Sequence, residues 1–143
     1  MLSGSSGWYP LFAGELGDKL LTFSLSTSLP QDWQVVSQGV RTIVHGQIRW
    51  HENQSQDEIY LIAAAFKRYA QKINDVEAEV YFRQPEAKLA QRYLTATKRY
   101  LTRYQRLFGP YPYAKFALVE NFWESGYGMP SFTLMGSQVV RLP

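Results

Sequence analysis

The segment ESGYGMPSF, residues 124–132, is the part of the sequence that decides which fold and function to expect. It combines two glycines, an aromatic ring, a thioether and a proline, and it offers no obvious nucleophile. Glycine allows another backbone to approach closely, and proline cannot donate a backbone hydrogen bond. The composition therefore predicts a segment that acts through its backbone more than through its side chains.

Elements on both sides of this segment are predicted from periodicity. Apolar stretches at about residues 115–121 and 132–141 are typical of strands. Before them, apolar residues recur at helical spacing from about residue 86 to 107, after Pro85 and before Gly109–Pro110. This spacing predicts one amphipathic helix. The residues expected to be buried on it are Leu89, Tyr93, Tyr100, Leu101 and Tyr104.

The first half of the chain is rich in short strands. Residues 19–29 and 75–83 alternate apolar and polar positions, which is typical of strands with one buried face. In the second of these, Glu77 and Glu79 are expected to face outward. Residues 57–73 fit either a helix or a buried strand, and periodicity alone leaves both open. Together with the later helix, these elements predict an α+β fold.

Composition and charge limit the class of protein. With 143 residues, 15% aromatics and no cysteine, the chain has the size of one domain, favours β-rich packing, and lacks thiolate metal sites. No run of about 18 apolar residues occurs, so no membrane span is predicted. Residues 1–84 carry seven Lys/Arg against nine Asp/Glu, whereas residues 85–143 carry eight against three. This asymmetry predicts two segments with a seam near Pro85.

Side chains suited to catalysis or metal binding are few. His45 and His51 are the only histidines, and no H-E-x-x-H pattern or further ligand accompanies them. We therefore expect surface or packing roles for both, and no zinc site. Glu120 and Glu124 bracket a predicted turn, yet no base or nucleophile accompanies them. The residues alone predict no catalytic residue and no metal ligand in this chain.

A basic face on the predicted helix raises the alternative of nucleic-acid binding. The neighbouring tyrosines are expected in the core, where they could not stack on bases. A solvated face is therefore the preferred interpretation, and no nucleic-acid partner is predicted. The basic residues expected in solvent are Lys88, Arg92, Arg99, Arg103 and Arg106.

A family resemblance extends over nearly the whole chain. It rests on a series of segments that follow in order: W-Y-P-x-F near the start, VVSQG, IYLIAAAF, VYFRQP, a long helix, FGPYPYAKFALVENF and a glycine-rich Met turn. This order is similar to that of the gluzincin zinc aminopeptidases, the relatives of membrane-alanyl aminopeptidase and leukotriene hydrolase. The resemblance implies a buried strand at IYLIAAAF.

The resemblance also implies a domain organisation. Residues 1–84 would be the β-rich end of an N-terminal domain of β-sandwich or saddle-like form. Residues 85–143 would be the long helix and opening strands of a thermolysin-like catalytic domain. The chain would then be an internal fragment that ends before the H-E-x-x-H helix.

The same resemblance gives the glycine-rich segment a role. In the family, a G-A-M-E-N loop lines the substrate cleft and pairs through its backbone with the peptide. Here Pro130 stands in place of the family's amine-binding Glu and Ser131 in place of its Asn, so Glu124 is the candidate to supply that charge. The residues implied to bind substrate are Gly126, Tyr127, Gly128, Met129, Pro130 and Glu124.

The function implied by the resemblance belongs to a complete protein. That protein would be a zinc-dependent, aminopeptidase-like hydrolase that cleaves peptide bonds near the N-terminus of peptides. This chain would supply a substrate-cleft loop but no zinc ligand, and it is expected to be inactive alone. Peptides are the expected partners, and cut strand edges are expected to allow self-association. The alternative is a stand-alone β-rich interaction module without catalytic activity.

Overall fold

The computed structural model describes residues 1–11 and 20–142, so Phe12 of the W-Y-P-x-F pattern lies outside the described residues. Backbone contacts divide the chain into two compact units, Met1–Ala65 and Phe66–Pro143. The seam expected near Pro85 falls within the second unit, between a strand and a helix. The assignment of residues 1–84 and 85–143 to two domains stays a prediction.

The first unit contains two small antiparallel sheets. One has the order β1-β4-β3, and the other pairs β2 with β5. A short 3-10 helix, Gly4–Ser6, precedes them. The strands are β1 (Leu21–Thr27), β2 (Gln34–Val36), β3 (Val40–Val44), β4 (Gln47–Gln56) and β5 (Ile62–Ala64).

Two sequence-based expectations are tested by these strands. The alternation along β1 is confirmed, because half-buried and exposed residues follow one another throughout. The strand implied by the resemblance at IYLIAAAF is also confirmed, since β5 pairs with β2 in register. The helical alternative for residues 57–73 is therefore wrong: β-pairing with a neighbouring strand overrides the local helix propensity of the alanines.

The second unit is built on one five-stranded sheet. Its strand order is β6-β7-β8-β10-β9, with β7–β8 and β8–β10 parallel and the other pairs antiparallel. The elements are β6 (Lys67–Ile73), β7 (Val76–Phe82), α1 (Ala87–Phe108), β8 (Lys115–Asn121), β9 (Tyr127–Met129), β10 (Phe132–Gly136) and α2 (Ser137–Val140). The chain is thus α+β, consisting mostly of strands with one long helix.

Helix α1 matches the predicted bounds but not all of the predicted face. It packs on β6 and β7 through Ala90, Leu94 and Leu101, which are buried. Tyr100 and Tyr104 were expected in the core and are instead 70% and 50% exposed, so that prediction is wrong. The reason is that only some of the apolar residues on α1 contact the sheet, and the others face away from it. Leu89 and Tyr93 are half-buried, and the five basic residues are exposed as predicted.

Two expectations about strand faces and ends are corrected. Glu79 was expected outside but is 2% exposed, and the buried hydroxyl of Tyr81 donates to its carboxylate at 2.8 Å. Arg68 compensates the buried charge by donating to Glu79 at 2.6 Å. The strand predicted over residues 132–141 ends at Gly136, where α2 begins. None of the helices in the described residues has the length and apolar character of a membrane span.

The buried face of α1 yields a stability prediction. Leu94→Ala should lower the free energy of unfolding by about 2–5 kcal/mol, because it leaves a cavity against the sheet. Leu107→Ala is the matched control: Leu107 is 68% exposed, and its truncation should change stability by less than about 0.5 kcal/mol. Urea denaturation of the two variants measures the difference, and equal losses would contradict the observed helix orientation.

Candidate functional site

The glycine-rich segment forms the edge of the five-stranded sheet. β9 pairs with β10 on one side, and no strand pairs with its other side in the part of the chain that the structure describes. The Pro130–Ser131 turn joins the two strands, with Ser131 in the left-handed region at a φ of 68°. A proline followed by a residue of positive φ is the arrangement of a type II turn. The structure therefore places Tyr127, Gly128 and Met129 on one sheet edge, with Gly126 directly before the strand and Pro130 in the turn that follows it.

The backbone of Gly128 faces the open side of this edge. Met129 and Phe132 are register partners across the turn, and Gly128 pairs with Thr133 one step further along. The turn hydrogen bond joins Met129 to Phe132, and bonded and non-bonded pairs alternate in antiparallel strands. The N–H and C=O of Gly128 are thus expected to point away from β10. Apart from the chain neighbours of Gly128, no residue has an atom within 4 Å of the place where its Cβ would stand, so the face of the sheet at this position has room for a side chain.

Glu124 lies in the loop before β9, and its carboxylate contacts another element. The backbone N–H of Gln138 donates to its two oxygens, at 3.2 and 3.0 Å. This contact satisfies an amide at the start of α2 that has no partner within the helix. A Cβ on Gly136 would come within 2.5 Å of Glu124 Oε2 and 2.8 Å of its Cα. Glu124 therefore has a structural contact, and its role in amine recognition stays a prediction.

Glu120 is the centre of a buried polar network that the sequence predicted only in part. The backbone N–H of Arg83, the hydroxyl of Ser137 and the guanidinium of Arg141 all donate to its carboxylate, at 2.8, 2.9 and 2.8 Å. Arg141 also pairs with Glu86. Burial alone would raise the pKa of Glu120, but these hydrogen bonds outweigh burial and lower it. No sequence signal singled out Arg141, because its partners are distant in the chain.

Lys115 and Ser131 form a second buried contact that sequence reasoning missed. Lys115 is 2% and Ser131 3% exposed. The ammonium Nζ donates to Ser131 Oγ at 2.7 Å, and it lies 5.2 Å from the centre of the Phe132 ring. A buried charge is tolerated only where partners compensate its lost hydration. The signal for this pair was faint: Lys115 is a lone cation at the start of an apolar strand.

The two histidines do not form a metal site. His45 lies in the exposed turn between β3 and β4, with a φ of 49°. His51 lies on β4, also exposed, with Nδ1 2.6 Å from Ser24 Oγ. Among residues 1–11 and 20–142, no three side chains of His, Cys, Asp or Glu come together as metal ligands. The donors within these described residues therefore do not fit a zinc ion.

The exposed face of α1 differs from what the sequence predicted. The rings of Tyr100 and Tyr104 stack with centroids 5.9 Å apart, and Tyr104 contacts Phe108 at 4.9 Å. A groove of about 510 Å³ runs from this row towards the sheet, and most side chains that line it, including Leu101 and Met135, are apolar. Tyr100 and Tyr104 are thus outside the core, so burial does not prevent their rings from stacking on bases.

Comparisons with known proteins find similarity only among solved structures. No protein-family model and no curated protein matches the chain. A two-domain M1 zinc metallopeptidase bound to L-arginine matches with a TM-score of 0.69 and 16% identity, over 94% of this chain and 34% of that chain. The M1 zinc metallopeptidase from Deinococcus radiodurans matches with a TM-score of 0.62 and 16% identity, over 92% and 33%.

Leukotriene A4 hydrolase from Saccharomyces cerevisiae also matches, with a TM-score of 0.63 and 13% identity, over 86% of this chain and 20% of that chain. At these identities the comparisons show a shared fold. This chain spans about a third of the length of the metallopeptidases and a fifth of that of the hydrolase.

The lack of fit to zinc is directly testable. Purified chain dialysed against zinc should retain no stoichiometric, chelator-sensitive ion, because two exposed histidines in separate contacts cannot complete a tetrahedral site. His51→Ala should retain the same low amount as the parent sequence. Stoichiometric zinc that is lost in the histidine variant would contradict this reading of the donors.

The Glu120 network predicts a dependence of stability on pH. The pKa of Glu120 is lowered in the folded chain, so its stabilising contribution is present above the ordinary Glu pKa and is lost as pH falls through the folded-state value. Glu120→Gln should be less stable by about 1–3 kcal/mol at neutral pH and should show a shallower decline towards acid. Urea unfolding at several pH values tests this, with the half-exposed Glu77→Gln as control. Parallel pH profiles for Glu120→Gln and the unaltered chain would contradict it.

Proposed function

We propose that this chain is part of a zinc-dependent peptidase, to which it contributes the strand edge that binds the peptide backbone. The observation that carries the proposal is the edge position of β9, whose outer side pairs with no other strand of the described residues. An extended peptide can add to such an edge as a further strand, with main-chain hydrogen bonds giving affinity. The fold shared with M1 zinc metallopeptidases supports this proposal.

The zinc and its ligands belong to the complete protein and not to this chain. The described residues hold no suitable group of donors, so the ligands would come from outside the described residues. On its own the chain is expected to be inactive. Its contribution is to orient the peptide: the backbone of β9 sets the direction and register of a bound strand, and Tyr127, 53% exposed, flanks it.

The finer assignments extend this proposal. Residues 85–143 would open a thermolysin-like catalytic domain, and residues 1–84 would end the N-terminal domain. Aminopeptidase specificity needs a charge that grips the free amine, and Pro130 stands where the resemblance would place one. Glu124 supplies that charge only if a substrate amine displaces or shares its contact with Gln138. Peptides remain the expected partners, without nucleic acid, and the unpaired edges remain a route to self-association.

A stand-alone interaction module is the second candidate. The exposed row of Tyr100, Tyr104 and Phe108 beside an apolar groove favours it, because exposed apolar patches commonly mark binding surfaces. The coding sequence next to this segment separates the two candidates. An H-E-x-x-H motif within a few tens of residues downstream supports the peptidase, and its absence supports the module.

The proposal predicts a specific effect of a side chain at the edge. In the complete protein, Gly128→Val should lower kcat/KM for peptides more than about tenfold and leave Tm nearly unchanged. The structure supplies the reason: the space at Gly128 is open, so the fold tolerates the side chain while an approaching peptide does not.

The matched control is Gly136→Ala. A Cβ there would clash with Glu124, so this variant should lose stability, and its activity should follow the folded fraction. If Gly128→Val behaves like Gly136→Ala, or retains full activity, β9 is only part of a hairpin and not a peptide-binding edge.

A further inference from the structure

We infer that Lys115 is a positioning residue for the β9 edge and acts through Ser131, an inference that rests on the proposed peptide-binding role of that edge. Lys115 begins β8, two strands away from β9, and would not itself touch a peptide. Its ammonium instead reaches the turn that connects β9 to β10.

The first step is the contact between Lys115 and the turn. Both residues are almost fully buried, and Lys115 Nζ lies 2.7 Å from Ser131 Oγ and 3.5 Å from Ser131 O. A charge-assisted hydrogen bond of this length is stronger than one between neutral groups. A shorter or apolar side chain at position 115 would lose this contact and leave the Ser131 hydroxyl buried without its donor.

The second step is the conformation of Ser131. Its φ of 68° lies in the left-handed region, which Gly and Asn adopt more readily than Ser. The residue is held there from two sides. Ala117 N–H donates to its carbonyl at 3.0 Å, and Lys115 donates to its hydroxyl. An unfavourable backbone conformation persists where the surroundings determine it in this way.

The third step is the register of β9. A tight turn sets the register of the strands it joins, and a slip by one residue exchanges the groups that face each side. In the observed register Gly128 pairs with Thr133, which directs the backbone of Gly128 outward. A slip by one would turn those groups towards β10 and present a residue with a side chain at the open edge. Lys115 thus keeps Gly128 as the residue available to a peptide.

The experiment uses amide hydrogen exchange by NMR on this chain, which needs no zinc or activity. In the unaltered chain, the amides of Tyr127 and Met129 should exchange slowly and that of Gly128 fast. Lys115→Met should lose more than tenfold of the protection at Tyr127 and Met129, with Val80 and Leu118 unchanged. Lys98→Met, an exposed lysine on α1, is the matched control and should change none of these amides.

A second variant keeps the test decisive if Lys115→Met does not fold. Ser131→Ala keeps the unfavourable left-handed conformation but removes the hydroxyl that Lys115 contacts, so it should also lose protection at Tyr127 and Met129. The double variant, where it folds, should lose less than the sum of the two single losses, because both changes remove the contact between Nζ and Oγ. Unchanged β9 protection in Ser131→Ala, or an equal loss across β7 and β8 in Lys115→Met, would overturn the inference.

Kinetics of the complete protein then separate this inference from the proposed function. Lys115→Met should raise KM for peptides more than fivefold with a smaller change in kcat, since it disorders a binding edge and no reacting group. Absence of peptidase activity in the unaltered complete protein refutes the proposed function, and the exchange data still decide whether Lys115 positions the edge. A loss in kcat alone, with KM unchanged, would contradict the positioning role.

Discussion

Parallel pairing of β7 with β8 is the constraint on which the second unit depends. Two parallel strands cannot be joined by a tight turn, because the chain must return to the starting end of the sheet. The 22 residues of α1 make that return, and their buried stripe covers β6 and β7. β8 then has a free side, on which β10 pairs in parallel. β9 pairs with β10 in the antiparallel direction and is the last strand of the sheet.

The edge strand combines features that an ordinary protein avoids and a peptide-binding protein needs. Unpaired backbone groups invite association with other chains, and natural sheets often shield them. β9 is only three residues long and ends at a proline, which limits how far an unwanted strand could extend along it. Within that short length Gly128 has no side chain, and its surroundings are open. The polar contacts of Lys115 and Glu120 are buried, and both residues lie on the inner strand β8.

Local periodicity predicted the elements whose packing is simple. The bounds of α1 and the alternation of β1 followed from the spacing of apolar residues. The side-chain environment was harder to predict, since it depends on partners distant in sequence. Glu79 is buried because Arg68, on the neighbouring strand, compensates its charge. Tyr100 and Tyr104 are exposed because only part of the apolar face of α1 contacts the sheet. After β10 ends at Gly136, the backbone N–H of Gln138 donates to Glu124, which lies outside the strand pattern.

The role of Gly126–Pro130 as the candidate site stays a prediction, which rests on the glycine content of the segment and on the family resemblance. The buried contacts near this segment were not predicted. The turn after this segment is held by Lys115, on β8. The neighbouring helix α2 is held to β8 by Glu120, whose partner Arg141 lies 21 residues further along. Neither contact has a sequence signature, since each depends on how β8, β10 and α2 come together.

The central claim is that the outward backbone of Gly128 binds peptide. A crystal structure of the complete protein with a non-hydrolysable peptide analogue tests it most directly. The account predicts an extended peptide antiparallel or parallel to β9, with a backbone atom about 2.7–3.2 Å from the N or O of Gly128. A peptide bound elsewhere, or a β9 edge already covered by another strand of the same protein, would contradict it.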